Sequence, residues 1–331
     1  MIELMKLYLI LMRQYMTFLE DLKKRILIMD GAMGTTIKSY HIPSKYFFIK
    51  CNYYEALNLS YPELIKNIHQ KYIEAGADIL KTNTFNCSNI ALQNPKFIDM
   101  VYTLSKEGAK IARESADISM KKIYVAGSIG PTNTSLSKYK NLSEIEKNFN
   151  ILKSTYYKHI NGLIDGGVDI LLIETIYDYL NAQCIISVIE DIFHKRNIFL
   201  PVMLSFTINK NGKIFTGQDI KYLVCNLDRK FVVSFGFNCS FGSKGIKIFI
   251  KLLESLTTKP ISLHPNAGFP DINEYYPETP EIMLENLKSL IENSELNLIG
   301  GCCGTSFEHI RKLSIYSKNK TPRNFTFCFD I

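Results

Sequence analysis

Tryptophan is absent from the 331 residues of this chain, which excludes no function, but several missing patterns do exclude something. No uncharged apolar run approaches the roughly 20 residues that a membrane-spanning helix needs. The most apolar stretch, the opening MIELMKLYLILM, is interrupted by Glu3 and Lys6. No small-residue cleavage pattern follows it, which argues against a signal peptide. The eight cysteines, at positions 51, 87, 184, 225, 239, 302, 303 and 328, lack the dense, regular spacing of a secreted disulfide framework and suit a reducing cytoplasm. Lysine and arginine exceed the acidic residues by 39 to 32. That excess is spread along the chain and forms no block, so neither a nucleic-acid nor a membrane partner is expected. No repeat of fixed period and no low-complexity linker divides the sequence.

What is present is a series of eight short runs rich in Ile, Val, Leu and Phe: 26–30, 78–85, 123–130, 169–175, 201–207, 232–239, 261–268 and 296–303. Each ends in the residue types that close strands. Segments of helical periodicity lie between them. In 61–76, Pro62 stands early, apolar residues recur at Leu64, Ile65, Ile68 and Tyr72, and Gly76 terminates. Segment 279–294 opens on Thr279 as a cap, with Pro280 at the first helical position. Eight strands alternating with helices predict an α/β fold, a single (βα)8 barrel. The expected organisation is an N-terminal extension at 1–17, the barrel at 18–318 and a short tail at 319–331.

Polar residues, and at one end a proline, gather at the carboxyl ends of these runs: Asp30, Asn83, Pro131, Glu174, Thr207, Cys239, Asn266 and the pair Cys302–Cys303. In a (βα)8 barrel those ends meet at one mouth, where active sites lie. Cys239, Cys302 and Cys303 then become neighbours in space. Adjacent cysteines form a disulfide only with strain, but they can give two thiolates to one ion. Three sulfurs with a fourth tetrahedral position open suit Zn²⁺. The alternative is three buried small hydrophobes, against which stand Gly300, Gly301 and Gly304, which pack poorly but let the backbone turn. A thiol entering the open position would lose its proton, so such a site favours alkyl transfer to sulfur over hydrolysis. No His-Glu pattern of a zinc hydrolase accompanies the cysteines, and His264 and His309 read as structural.

The loop MDGAMGTTI (29–37) sets Asp30 before a glycine-rich turn, Gly31, Ala32, Met33, Gly34 and Thr35. Its backbone N–H groups can hold a substrate carboxylate while Asp30 pairs with an ammonium. The competing reading is a tight βα turn with Asp30 as a helix cap. Glu174, after the four apolar residues Ile170 to Ile173, is expected at the mouth as a second carboxylate, or else in a salt bridge of the rim.

The chain resembles the homocysteine S-methyltransferase family, and within it the homocysteine-binding module of cobalamin-dependent methionine synthase. The segments ILIMDGAMGTTI (26–37), YIEAGADILKTNTFN (72–86), VAGSIGPTN (125–133), GGVDILLIETIYDYLNA (166–182), GFNCSFG (236–242), PNAGFP (265–270), YYPETPE (275–281) and IGGCCGTSFEHI (299–310) carry the resemblance. It implies Cys239, Cys302 and Cys303 as zinc ligands and Asp30 and Glu174 at the amino group of L-homocysteine. It also implies the amides of Gly31 to Thr35 at the carboxylate and Asn266 as an oxygen donor to zinc in the absence of thiol. The implied reaction is methyl transfer to homocysteine, giving methionine, with methylcobalamin as donor. Lys81 departs from the family, which usually has an acidic residue there. The tail TPRNFTFCFDI resembles the start of the linker to the cobalamin- and folate-binding modules of methionine synthase, which a truncated or split gene product would meet on another chain. A free-standing enzyme using S-methylmethionine or betaine, and a truncated zinc-binding relic, are the other readings.

Overall fold

The computed structural model describes residues 15–48 and 53–326. Most of the expected N-terminal extension, the last five residues of the expected tail, Cys51 and Cys328 lie outside the described residues.

All eight expected strands form: β1 (Leu27–Ile28), β2 (Ile79–Lys81), β3 (Tyr124–Ile129), β4 (Ile170–Ile176), β5 (Val202–Phe206), β6 (Val232–Gly242), β7 (Ile261–Asn266) and β8 (Leu298–Ile299). They pair in parallel in the order β1-β8-β7-β6-β5-β4-β3-β2. A parallel bridge between Met29 and Ile79 joins the two ends of this sheet, as does the hydrogen bond from the Asp30 amide to the Ile79 carbonyl, 2.9 Å. The sheet thus curls into a (βα)8 barrel.

The helices end where their sequences say they should. Pro62–Glu74 buries Leu64, Ile65, Ile68 and Tyr72 and is followed by Gly76 at φ +104°, a left-handed conformation that favours glycine. Pro280–Glu292 begins after Thr279, whose side chain accepts from the Ile282 amide. Leucine, isoleucine and valine of the helices and of the outward strand faces form one large buried layer around the barrel.

Inside the barrel the strand alternation builds a second core. Leu27, Met29, Ile79, Tyr124, Ala126, Ile170, Leu172, Met203, Val233 and Leu298 pack together there. Residues 15–24 are helical and close this core from below with Tyr15, Phe18, Leu19 and Leu22, all buried. The Phe18 ring meets Tyr124 edge-on at 5.0 Å, and Tyr15 meets Phe199 at 5.1 Å. Because side chains on a strand repeat every second residue, the next inward positions above Ile79, Ala126, Leu172 and Met203 are Lys81, Ser128, Glu174 and Ser205. The barrel interior therefore changes from apolar to polar within one step, and the polar level faces the mouth.

Candidate metal centre and substrate pocket

The three sulfurs converge. Cys302 Sγ lies 3.0 Å and Cys303 Sγ 3.4 Å from Cys239 Sγ, and all three fall within 4.8 Å of one another. Cys239 and the pair reach this point by different routes. Cys239 has φ +50° and sits where the register of β6 against β7 shifts, between Asn238 and Gly242. The pair is held by the bond from the Cys302 amide to the Pro265 carbonyl, 2.9 Å, and from the Ala267 amide to the Cys303 carbonyl, 3.0 Å. Gly301 is required by close approach: a Cβ there would stand 2.3 Å from Thr305 Oγ1, whose hydroxyl donates to the Cys302 carbonyl at 2.7 Å.

Sulfurs this close cannot all be thiolates without a cation. Hydrogen bonds from Cys239 and then Cys302 pull the Cys303 thiol down to about 3, while the bond with Cys302 holds Cys239 well above the usual thiol range. Three soft donors at one point fit Zn²⁺ with three protein ligands. Asn266, at the end of β7, is buried and its Oδ1 makes no hydrogen bond among the described residues, an acceptor left without a donor.

Asn238 ties this cluster to the carboxylate beside it. Its Oδ1 accepts from the Thr175 amide at 2.9 Å and from Ser205 Oγ at 2.7 Å. Its Nδ2 donates to Thr175 Oγ1 at 2.8 Å and lies 3.8 Å from Cys302 Sγ. Thr175 has φ +59°, an outlier for a β-branched residue that persists only where its surroundings enforce it. One amide side chain thereby fixes the backbone after Glu174 and approaches a sulfur of the cysteine cluster. The sequence reading passed over Asn238, although its place directly before Cys239 in GFNC was the available signal.

Both expected carboxylates are buried. Glu174 accepts a short hydrogen bond from Ser128 Oγ; burial raises its pKa, against the pull of Lys81. Asp30 is pushed up to about 7 by burial, again opposed by Lys81. Its Oδ2 accepts from the Lys81 amide at 2.9 Å and its Oδ1 lies 3.6 Å from Lys81 Nζ. Lys81 Nζ also donates to the Gly301 carbonyl at 2.9 Å. Burial works against the lysine charge, but Asp30, Glu174 and the cysteines outweigh it and hold its pKa above the ordinary value.

A cavity of about 170 Å³ opens over these groups, lined by Ala32, Met33, Gly34, Thr35, Glu174 and all three cysteines. Asp30, Gly31 and Asn266 stand behind its wall. The Ala32 amide is already taken by Thr305 Oγ1 at 3.1 Å, whereas Met33, Gly34 and Thr35 start the helix Gly34–Ser39, where amides lack intrahelical partners. Tyr54, Glu55, Asn83 and Lys81 are among the other residues that line it; Tyr54 and Glu55 come from the first βα connection, which no motif reading had singled out. His309 joins Ser306 to the Glu278 carbonyl as part of a helix cap, and buried His264 makes no hydrogen bond among the described residues. Cys87 and Cys184 are buried and Cys225 is exposed, each apart from the cluster.

The profile of the homocysteine S-methyltransferase family matches residues 27–316. The chain belongs to that family. Its fold is shared with the homocysteine methyltransferase MmuM of Escherichia coli. The oxidized form of that enzyme superposes with a TM-score of 0.68 at 21% identity, covering 88% of this chain and 96% of the other. The metallated form gives a TM-score of 0.68 at 20% identity, covering 92% and 100%. No helix among the described residues is long and apolar enough to cross a membrane.

Proposed function

We propose that the protein transfers a methyl group to the thiol of L-homocysteine, giving L-methionine, with one Zn²⁺ held by Cys239, Cys302 and Cys303. The observation that carries this reading is the convergence of three sulfurs and a buried carboxylate, Glu174, on a single cavity. Zinc in that cluster would keep a fourth sulfur as thiolate at neutral pH.

The chain's own groups do the rest. Glu174, on the cavity, and Asp30, paired with Lys81 behind its wall, would supply the negative potential that an α-ammonium needs, and Met33, Gly34 and Thr35, which line the same cavity at the start of a helix, would offer their amides to the carboxylate. Held at both ends, the amino acid presents its sulfur in one direction, which removes much of the entropic part of the barrier. The sulfur then forms its bond to the methyl carbon as the donor's bond breaks, the electron pair leaving with the donor. Asn266, whose Oδ1 is buried without a hydrogen-bond partner among the described residues, would supply an oxygen to the zinc ion while no thiol is present.

The donor proposed is methylcobalamin, presented by cobalamin- and folate-binding modules on another chain in the cytoplasm. The motif likeness to methionine synthase supports this choice. The test is methionine formation by the zinc-loaded protein from homocysteine and each of three donors. Methylcobalamin is expected to serve. Turnover only with S-methylmethionine or betaine identifies a free-standing enzyme, and no turnover together with no zinc identifies a relic.

A further inference from the structure

Among the residues lining the cavity, Lys81 is the one basic side chain. It occupies the inward position of β2 at the level where the barrel turns polar, and its side chain is only 9% exposed. Its two nitrogens share one partner. The backbone amide holds Asp30 Oδ2, and the ammonium faces Asp30 Oδ1 while bonding the Gly301 carbonyl. Oδ1 makes no hydrogen bond among the described residues, and the cation that faces it is the Lys81 ammonium, in an ion pair at 3.6 Å. Glu174 is bound differently: its hydrogen bond is from a neutral hydroxyl, Ser128 Oγ, Lys81 acts on it only through its charge from farther away, and it opens onto the cavity.

We propose that Lys81 is a specificity-determining residue, a built-in ammonium that occupies Asp30 and leaves Glu174 as the carboxylate that meets the substrate's α-ammonium. An amino-acid site with two open carboxylates leaves both unpaired when its ligand lacks the amino group. This pocket leaves one, because Asp30 keeps its lysine. It therefore takes ω-mercapto acids without an amino group, as well as the amino acid. The inference rests on the homocysteine reading and adds to it a class of acceptor.

The experiment is calorimetric titration of the full, zinc-loaded chain with homocysteine and with 4-mercaptobutanoic acid, which lacks only the α-amino group. The native protein is compared with Lys81→Met and Lys81→Gln. Freed from lysine, Asp30 joins the clamp, and the preference for homocysteine is expected to rise by about tenfold or more, the worth of a hydrogen bond to a charged group. An unchanged preference in a folded lysine variant overturns the proposal.

A second comparison leaves Lys81 in place. Asp30→Asn is expected to weaken homocysteine binding by less than about threefold, and Glu174→Gln by about tenfold or more; equal losses overturn it. If neither thiol binds the native protein, the homocysteine reading fails instead, so the two failures are distinct.

Discussion

The lower and upper halves of the barrel interior are built by the same strands and the same two-residue alternation, yet they obey opposite rules. Below, Leu27, Tyr124, Ile170 and Leu298 fill the space with carbon, and the helical residues 15–24 seal it. Above, Lys81, Ser128, Glu174, Ser205 and Asn238 form hydrogen-bonded or charged contacts, and Thr175 and Cys239 take left-handed backbone conformations. Buried charge and backbone strain are each costly. The difference teaches where stability comes from: the apolar half holds the ring closed, and the polar half spends that stability on geometry.

The comparison can be broken hardest at the sulfurs. Cys302→Ala or Cys303→Ala is expected to abolish stoichiometric zinc and methyl transfer while the secondary structure persists, as metal analysis and circular dichroism would show. Retained zinc in both variants contradicts the assignment. The converse change lies one level lower. Leu172→Ala in the apolar half is expected to lower unfolding free energy by roughly 2–5 kcal/mol in denaturant titration, with zinc still bound one per chain. Equal damage to both properties would mean that the halves are not separable.

A finer cut separates the metal cluster from its support. Asn238→Ala removes the amide that joins Thr175 to Cys302, and zinc affinity measured against a competing chelator is expected to fall about 10–100-fold, as for other residues that orient ligands. An unchanged affinity would assign Asn238 to the fold alone. The smallest effect is a control in the outer layer. His69, on the helix Pro62–Glu74, is fully buried, makes no hydrogen bond among the described residues, and has its pKa lowered by burial to about 4. The unfolded chain therefore binds this proton more readily than the folded one. The stability His69 contributes is present above pH 6.5 and is lost as pH falls toward 4. Between pH 7 and 5.5 the loss is about 1 kcal/mol. His69→Leu is expected to make that part of the pH–stability curve less steep by this share, the buried His159 and His264 keeping their own, without touching zinc binding. A slope as steep as before would place the acid lability elsewhere.

How much of this was legible in the sequence follows the same division. The apolar runs announced all eight strands, since strand burial on both faces leaves a nearly continuous hydrophobic signature. Their polar carboxyl ends brought Cys239 to Cys302 and Cys303 by topology alone. The contacts within the polar level were not legible. That Lys81 engages Asp30 depends on β2 closing against the end of β1, and that Asp30 stands behind the cavity wall depends on that pairing. The left-handed threonine at 175 contradicts every local preference of a β-branched residue, and it is intelligible only once Asn238 is seen holding its amide.

The account turns on the sulfur cluster, so its most direct test is the metal content of the purified chain followed by zinc-edge absorption during a homocysteine titration. One zinc per chain, passing to four-sulfur coordination as homocysteine is added, is the predicted result. No zinc, or a zinc environment indifferent to homocysteine, would contradict it.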